Sequence, residues 1–148
     1  MKLSEHFTLR ELTKSSTAER LGINNGPNSD EMKALKKVCE EILEPVRDHW
    51  GVPFAPNSGF RSKELNEKLG GSQKSQHMFG EAVDIEVPGV SNLELAYWIK
   101  EKLQFDQLIL ECWTGKSDSG WVHVSYKDIN RKEVLTYERN KGYTPGLP

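Results

Sequence analysis

A carboxylate and an imidazole fall where strand patterns call for apolar residues, and a second carboxylate ends a strand. Side chains alternate along residues 81–87, so Ala82, Asp84 and Glu86 share one face while Val83, Ile85 and Val87 share the other. Over residues 121–126, Trp121, His123 and Ser125 likewise oppose Val122, Val124 and Tyr126. The run Leu108-Ile109-Leu110 reads as a central strand, yet Glu111 ends it. A charged group on an interior strand costs several kcal/mol unless it is paired or bound to a metal. Zinc would offset that cost, because a catalytic zinc takes three His or Asp/Glu ligands and keeps one position for water. His77, just before the Gly80 turn, Asp84 and His123 offer two imidazoles and one carboxylate, a set that suits a single Zn2+ ion. Glu111, on a strand that would pair with that of His123, is placed to take a proton from water. On spacing alone, however, His-x6-Asp is common by chance, and ordinary packing outranks a metal site.

The elements that must position these groups are short. Residues 1–28 read as helical turns, with Ser4 and Thr8 as candidate N-caps and Gly22, Gly26 and Pro27 as punctuation. Ser29 is expected to cap a long amphipathic helix, since Met32, Leu35, Val38, Cys39, Ile42, Leu43 and Val46 recur at helical spacing. Pro45 should kink or divide it. A short extended segment over 54–60, a helix over 62–69 and a polar loop over 72–79 follow. Strands are expected over 81–87, 105–112, 121–126 and 132–137, with a helix capped by Ser91 between the first two. The tail after Tyr137 reads as extended surface chain. Helices first and strands around one helix later argue an α+β domain with a small, mostly antiparallel sheet packed by helices.

The chain has 148 residues, enough for one domain with one core. Charged residues make up 28% and hydrophobic ones 36%, the mix of a globular rather than a disordered chain. The formal net charge of −2, with no long block of like charge, argues against nucleic acid as partner. Cys39 and Cys112 match no zinc or redox spacing and are expected to be buried free thiols, which points to synthesis in a reducing compartment. No stretch has signal-peptide or membrane-span length, so the protein is expected to be made in the cytoplasm without a signal peptide and not to insert stably into a membrane. A monomer is expected.

Four motifs in order then carry a resemblance: Ser-Gly-Phe-Arg-Ser (58–62), Ser-Gln-His-Met-Phe-Gly-Glu-Ala-Val-Asp-Ile (75–85), Phe-Asp-Gln-Leu-Ile-Leu-Glu (105–111) and Gly-Trp-Val-His-Val-Ser (120–125). Together they resemble the zinc D-Ala-D-Ala carboxypeptidase and phage endolysin peptidase family, whose fold the hedgehog signalling domain shares. The resemblance runs from about residue 3 to residue 137, and four ordered motifs are more specific than any one. It implies a hedgehog/DD-peptidase-like fold with His77, Asp84 and His123 as zinc ligands. It also implies that Arg61 steadies the substrate carbonyl as negative charge develops. Many members place an acidic residue three positions before the last ligand, where this chain has Gly120. The hedgehog-like branch has its glutamate at the end of the preceding strand, which matches Glu111, with Asp118 in reserve.

The activity so implied is hydrolysis of peptide bonds in peptidoglycan stems, either as a D-Ala-D-Ala carboxypeptidase or as an endolysin-type endopeptidase acting on the wall after phage release or from a virion. Ser75, Gln76 and Trp121 are expected to line the peptide groove, and Trp113 to flank it. The alternative is a zinc-containing module of the same fold that binds, or builds a virion, without catalysis. His6 and His49 have no acidic partner at ligand spacing and read as surface residues, and Trp98 reads as core.

Overall fold

The computed structural model describes residues 1–148. Its helices are α1 (Leu9–Thr13), α2 (Ser16–Leu21), α3 (Ser29–Val38), α4 (Glu44–Trp50), α5 (Lys63–Lys68) and α6 (Asn92–Lys102). Its strands are β1 (Ala82–Ile85), β2 (Gln107–Glu111), β3 (Trp121–Ser125), β4 (Glu133–Glu138) and β5 (Gly142–Pro145). Short polar side chains start most of the helices. Thr8 and Glu11 close a capping box on α1, Ser15 caps α2, Ser62 caps α5 and Ser91 caps α6. Each such cap is worth about 1 kcal/mol. The cap of α3 is Asn28 rather than Ser29; its side chain accepts from Glu31 N while Glu31 accepts from Asn28 N. Ser4 caps nothing and instead donates to Glu44.

The long helix is interrupted ahead of Pro45, which stands in the first turn of α4. Between α3 and α4 the chain widens into a π-helical turn, Cys39–Leu43, in which Glu44 N donates to Cys39 O. One extra residue in the turn makes room for a proline ring that would otherwise strike the carbonyl of the preceding turn. The inward residues stay in register across the wide turn: Val38, Cys39, Ile42, Leu43 and Val46 are all fully buried.

The five strands are ordered β1-β3-β2-β4-β5 and every neighbouring pair is antiparallel except β2 with β4. Val83, Ile85, Leu108, Leu110, Val122 and Val124 form the inner face, packed with the long helix and α6 into one cluster of buried apolar residues. The outer face carries the chemistry. Asp84 on β1 pairs with His123 on β3, and His123 pairs with Ile109 on β2, so these three lie side by side.

The extended segment over 54–60 meets the sheet through a single bridge, Ser58 to Asp84, at the β1 edge. Two expectations are corrected by this arrangement. The tail after Tyr137 is not free surface chain, because Leu135–Glu138 pairs with Gly142–Pro145 and closes a fifth strand onto the sheet. A turn signal lies in Gly142, which adopts φ +79°, but Pro145 and the polar run mask the strand. Both thiols are free, but only Cys39 is buried. Cys112 is half-exposed and takes a left-handed φ of +52° as the chain leaves β2.

Candidate metal centre and peptide cleft

His77 sits on a tight 3-10 turn, Gln76–Phe79, that Ser75 opens by accepting from His77 N and Gly80 closes in a left-handed conformation. Its Nδ1 lies 2.7 Å from Gly59 O. A carbonyl can only accept, so Nδ1 carries the proton and Nε2 is left as a free lone pair. Nε2 lies 3.4 Å from Asp84 Oδ2. The Gly59 carbonyl is itself held in place by close packing: a Cβ on Gly59 would lie 2.3 Å from Leu12 O, and Phe60 N donates to that same oxygen. The Ser-Gly-Phe-Arg motif thus uses its glycine for contact with α1 and its carbonyl for orienting an imidazole.

Asp84 is the hub. Its backbone pairs with Ser58 and Asn57, while Oδ1 lies 3.1 Å from His123 Nδ1 and Oδ2 lies 3.5 Å from the Arg61 guanidinium. Only 8% of Asp84 and of His123 and 3% of His77 is exposed. Burial alone would raise the Asp84 carboxyl, but the hydrogen bond with His123 and the nearness of both imidazoles hold it well below the usual carboxylate range. One ligand atom from each of the three residues lies within 4.8 Å of the other two. Two imidazoles and a carboxylate converging on one point in a buried pocket fit a zinc ion both in donor type and in number.

Glu111 shares the outer face with this trio, two residues beyond Ile109 and directly across from Trp121. Burial raises its pKa; Asp84 adds to the rise and His123 opposes it. The position three before His123 is closed to any side chain. Gly120 has φ +67°, and a Cβ there would lie 1.7 Å from the carbonyl oxygen of Glu111 itself. The backbone crossing that brings Glu111 to the cleft therefore requires the glycine. Asp118 lies elsewhere: it is exposed, near Val90 and Asn92, and borders grooves that contain none of the trio.

A cleft of about 290 Å³ opens over these groups, bordered by Arg61, Lys74, Ser75, Gln76, Glu111, Trp121 and Tyr143 together with the trio. Arg61 is held by Ser58 Oγ at 3.2 Å and points at the Asp84 carboxylate, so it is no surface helix-start residue. Gln76 borders the cleft but its Nε2 is committed to Asp106 Oδ2 at 2.8 Å, while its Oε1 is buried without a partner. Trp113 lies outside the cleft and packs against the core. A larger groove of about 900 Å³ runs along α3 past Lys37 and Tyr126, and none of the trio lines it.

Two features escape sequence reasoning. Asp106, 1% exposed, ties the His77 turn to the sheet: it accepts from Gln76 and takes a two-pronged contact from Arg131, Nε at 3.0 Å and a terminal nitrogen at 2.8 Å. These bonds from Arg131, opposed by burial and helped by Gln76, lower its pKa to about 2. Its only signal is an acid just ahead of an apolar strand, which is too common to single out. Tyr143, the second, comes from the strand whose sequence reads as tail. His6 is exposed, as expected, but has a partner that its sequence neighbours do not show: Glu44, far along the chain, accepts from its backbone at 2.7 Å and lies 2.6 Å from its Nδ1. His49 is exposed and stacks on Trp98, which is half-buried against the core.

No helix is long and apolar enough to cross a membrane. No curated protein matches the chain. The model of one protein family, described as Peptidase M15, matches residues 5–125, a span that takes in all four motifs and every residue of the trio.

Proposed function

The chain belongs to peptidase family M15, and from that membership we propose that it is a zinc-dependent metallopeptidase hydrolysing peptide bonds in the stem peptides of peptidoglycan. The observation that carries this reading is the convergence of His77, Asp84 and His123 on one buried point with Glu111 on the same sheet face. A zinc ion held there by His77 Nε2, Asp84 and His123 would supply Lewis acidity toward the scissile carbonyl and lower the pKa of water.

The chain's own groups divide the remaining work. Glu111, half-buried and with its proton affinity raised by burial, takes the proton from the attacking water and returns it to the leaving amine. Arg61, held beside Asp84 by Ser58, offers a fixed cation to the carbonyl oxygen as negative charge develops. Gly59 O fixes the His77 tautomer, and the Gln76–Asp106–Arg131 chain of hydrogen bonds fixes the turn that carries it. Trp121 and Ser75 border the groove in which the peptide lies.

The charge of the cleft favours an acidic peptide. Asp84 and Glu111 are balanced by Arg61 and Lys74, so a bound divalent ion leaves a positive excess. Stem peptides carry free carboxylates, which is the chemistry such a cleft attracts. Action as a D-Ala-D-Ala carboxypeptidase or as a phage endolysin-type endopeptidase is supported by the motif resemblance.

Mass spectrometry of purified peptidoglycan after incubation with zinc-loaded protein tests the reading, alongside chelator-treated and Glu111→Gln samples. New stem fragments that vanish in both controls establish the enzyme and name the bond. Walls of several chemistries left intact at full zinc occupancy would sink it and bring forward the non-catalytic binding module.

A further inference from the structure

The part of the chain beyond the family match contributes to the same cleft. The match ends at Ser125, whereas the hairpin of β4 and β5 spans Glu133–Pro145. Register links this hairpin to the reacting groups. Trp121 on β3 faces Glu111 on β2, and the β2–β4 pairing carried one residue on sets Tyr137 beside Glu111. Tyr137 in turn pairs with Tyr143 on β5. One row across four strands thus reads Trp121, Glu111, Tyr137, Tyr143, all on the outer face.

Of the two tyrosines, the more distant one borders the cleft. Strands are about 4.8 Å apart, so the Tyr143 backbone lies roughly 10 Å from that of Glu111. Its ring leans back over its neighbour, with the Tyr137 and Tyr143 ring centroids 4.7 Å apart at 46°. The negative charge of Glu111 helps raise the Tyr143 pKa, behind partial burial, which places the phenol within electrostatic reach of the cleft carboxylate. The hydroxyl makes no hydrogen bond within the protein, and 57% of the residue is exposed. A large aromatic left this open beside a polar cleft, with a free donor at its tip, has the form of a ligand contact.

We propose that the β4–β5 hairpin forms one wall of the peptide groove and that Tyr143 holds the substrate segment flanking the scissile bond, its ring against the peptide and its hydroxyl donating to a peptide carbonyl. This rests on the peptidase reading above. The sheet order sets two strands, β2 and β4, between Tyr143 and the strand of His123, so the contact is with the flank of the peptide and not with the reacting carbonyl. Interactions of that kind are made equally in ground and transition states, so they appear in KM rather than in kcat.

The test uses the full zinc-loaded chain with Tyr143→Ala and Tyr143→Phe, and two readouts. On the stem peptide that the wild type cuts, Tyr143→Ala should raise KM about tenfold with kcat within about twofold, and Tyr143→Phe should fall between it and wild type. Calorimetric binding of a synthetic stem pentapeptide ending in D-Ala-D-Ala to Glu111→Gln should weaken about tenfold when Tyr143→Ala is added. Zinc content and melting temperature should match wild type in every variant, because the side chain lies on the surface of an edge strand. Unchanged KM and unchanged binding would overturn the assignment, as would a loss confined to kcat. A wild type that binds the pentapeptide but cuts no wall would refute the peptidase reading while the binding arm still decides the role of Tyr143. Neither cutting nor binding would refute both.

Discussion

On the helix-covered face of the sheet, Val83, Leu108, Leu110, Val122 and Val124 are fully buried and bring no polar side-chain atom with them. On the opposite face the same strands present Asp84, Glu111 and His123, each half-buried or more and each charged or able to become so. Alternation along three strands therefore yields one surface that stabilises the fold and another that strains against it. Apolar burial contributes about 25 cal/mol per Å² of area removed from water. A buried carboxylate and two imidazoles contribute only if something compensates them, and here that compensation is their mutual pairing. The difference between the faces teaches where to look: polar groups that the fold would be better off without are the ones kept for chemistry.

If that division of labour holds, substitutions on the two faces should fail in opposite ways. The largest effect is expected from Glu111→Gln, which keeps shape and removes the carboxylate proposed as the base. Turnover should fall by about 10²–10⁴-fold, while zinc content and melting temperature stay at wild-type values because the amide relieves a half-buried carboxyl of its burial cost. A variant that loses zinc or unfolds would show that Glu111 belongs to the scaffold instead. Leu110→Ala, next to Glu111 in the chain but on the other face, should do the reverse. It should cost about 2–5 kcal/mol in denaturant unfolding, with kcat per folded, zinc-bound molecule nearly unchanged. A large kcat loss in that variant would mean that the faces are mechanically coupled.

Gly120→Ala probes the one place where the two roles meet. The residue has the left-handed φ of +67° and no room for a Cβ against Glu111 O. Both costs together should amount to about 2–4 kcal/mol in stability, and the backbone shift that relieves the clash must move Glu111. Activity and stability should therefore fall together, unlike either variant above. A stable, active Gly120→Ala protein would refute the close crossing of β2 and the start of β3.

These contrasts also explain what is legible in the sequence. Strand alternation is a short-range signal, so the odd positions of Asp84 and His123 stand out from the residue order itself, and the long helix announces itself through its apolar spacing. Ordered motifs then narrow the chemistry further than spacing alone can. Asp106 and Tyr143 are not legible because their roles are set by partners far along the chain. Arg131 reaches Asp106 from the connection after β3, and Tyr143 reaches the cleft only because β5 folds back on β4. Pro45 marks where the long helix is interrupted, but the form of the interruption, a wide turn whose cost the buried face of the helix offsets, is a balance that local propensity does not contain.

The smallest effect expected is the most specific in its pH dependence. Asp106 is buried just ahead of β2, so it ought to destabilise the fold, yet Arg131 pairs it from the surface with 57% of its own side chain exposed. Its pKa falls from the ordinary 3.8 to about 2 in the folded state. Between those values the unfolded chain binds more protons than the folded one, so stability rises with pH across the window. The contribution is fully present above about pH 4 and is lost as pH falls through about 2. Arg131→Ala should cost about 1–2 kcal/mol at neutral pH, the exposed partner being partly screened. The gap between variant and wild type, followed by urea unfolding, should narrow as pH drops from about 4 toward 2. Because other carboxylates titrate over the same range in both proteins, the difference between them isolates Asp106. A gap that stays constant would mean that Arg131 acts through packing, and that the His77 turn is held by Gln76 without help from a charge.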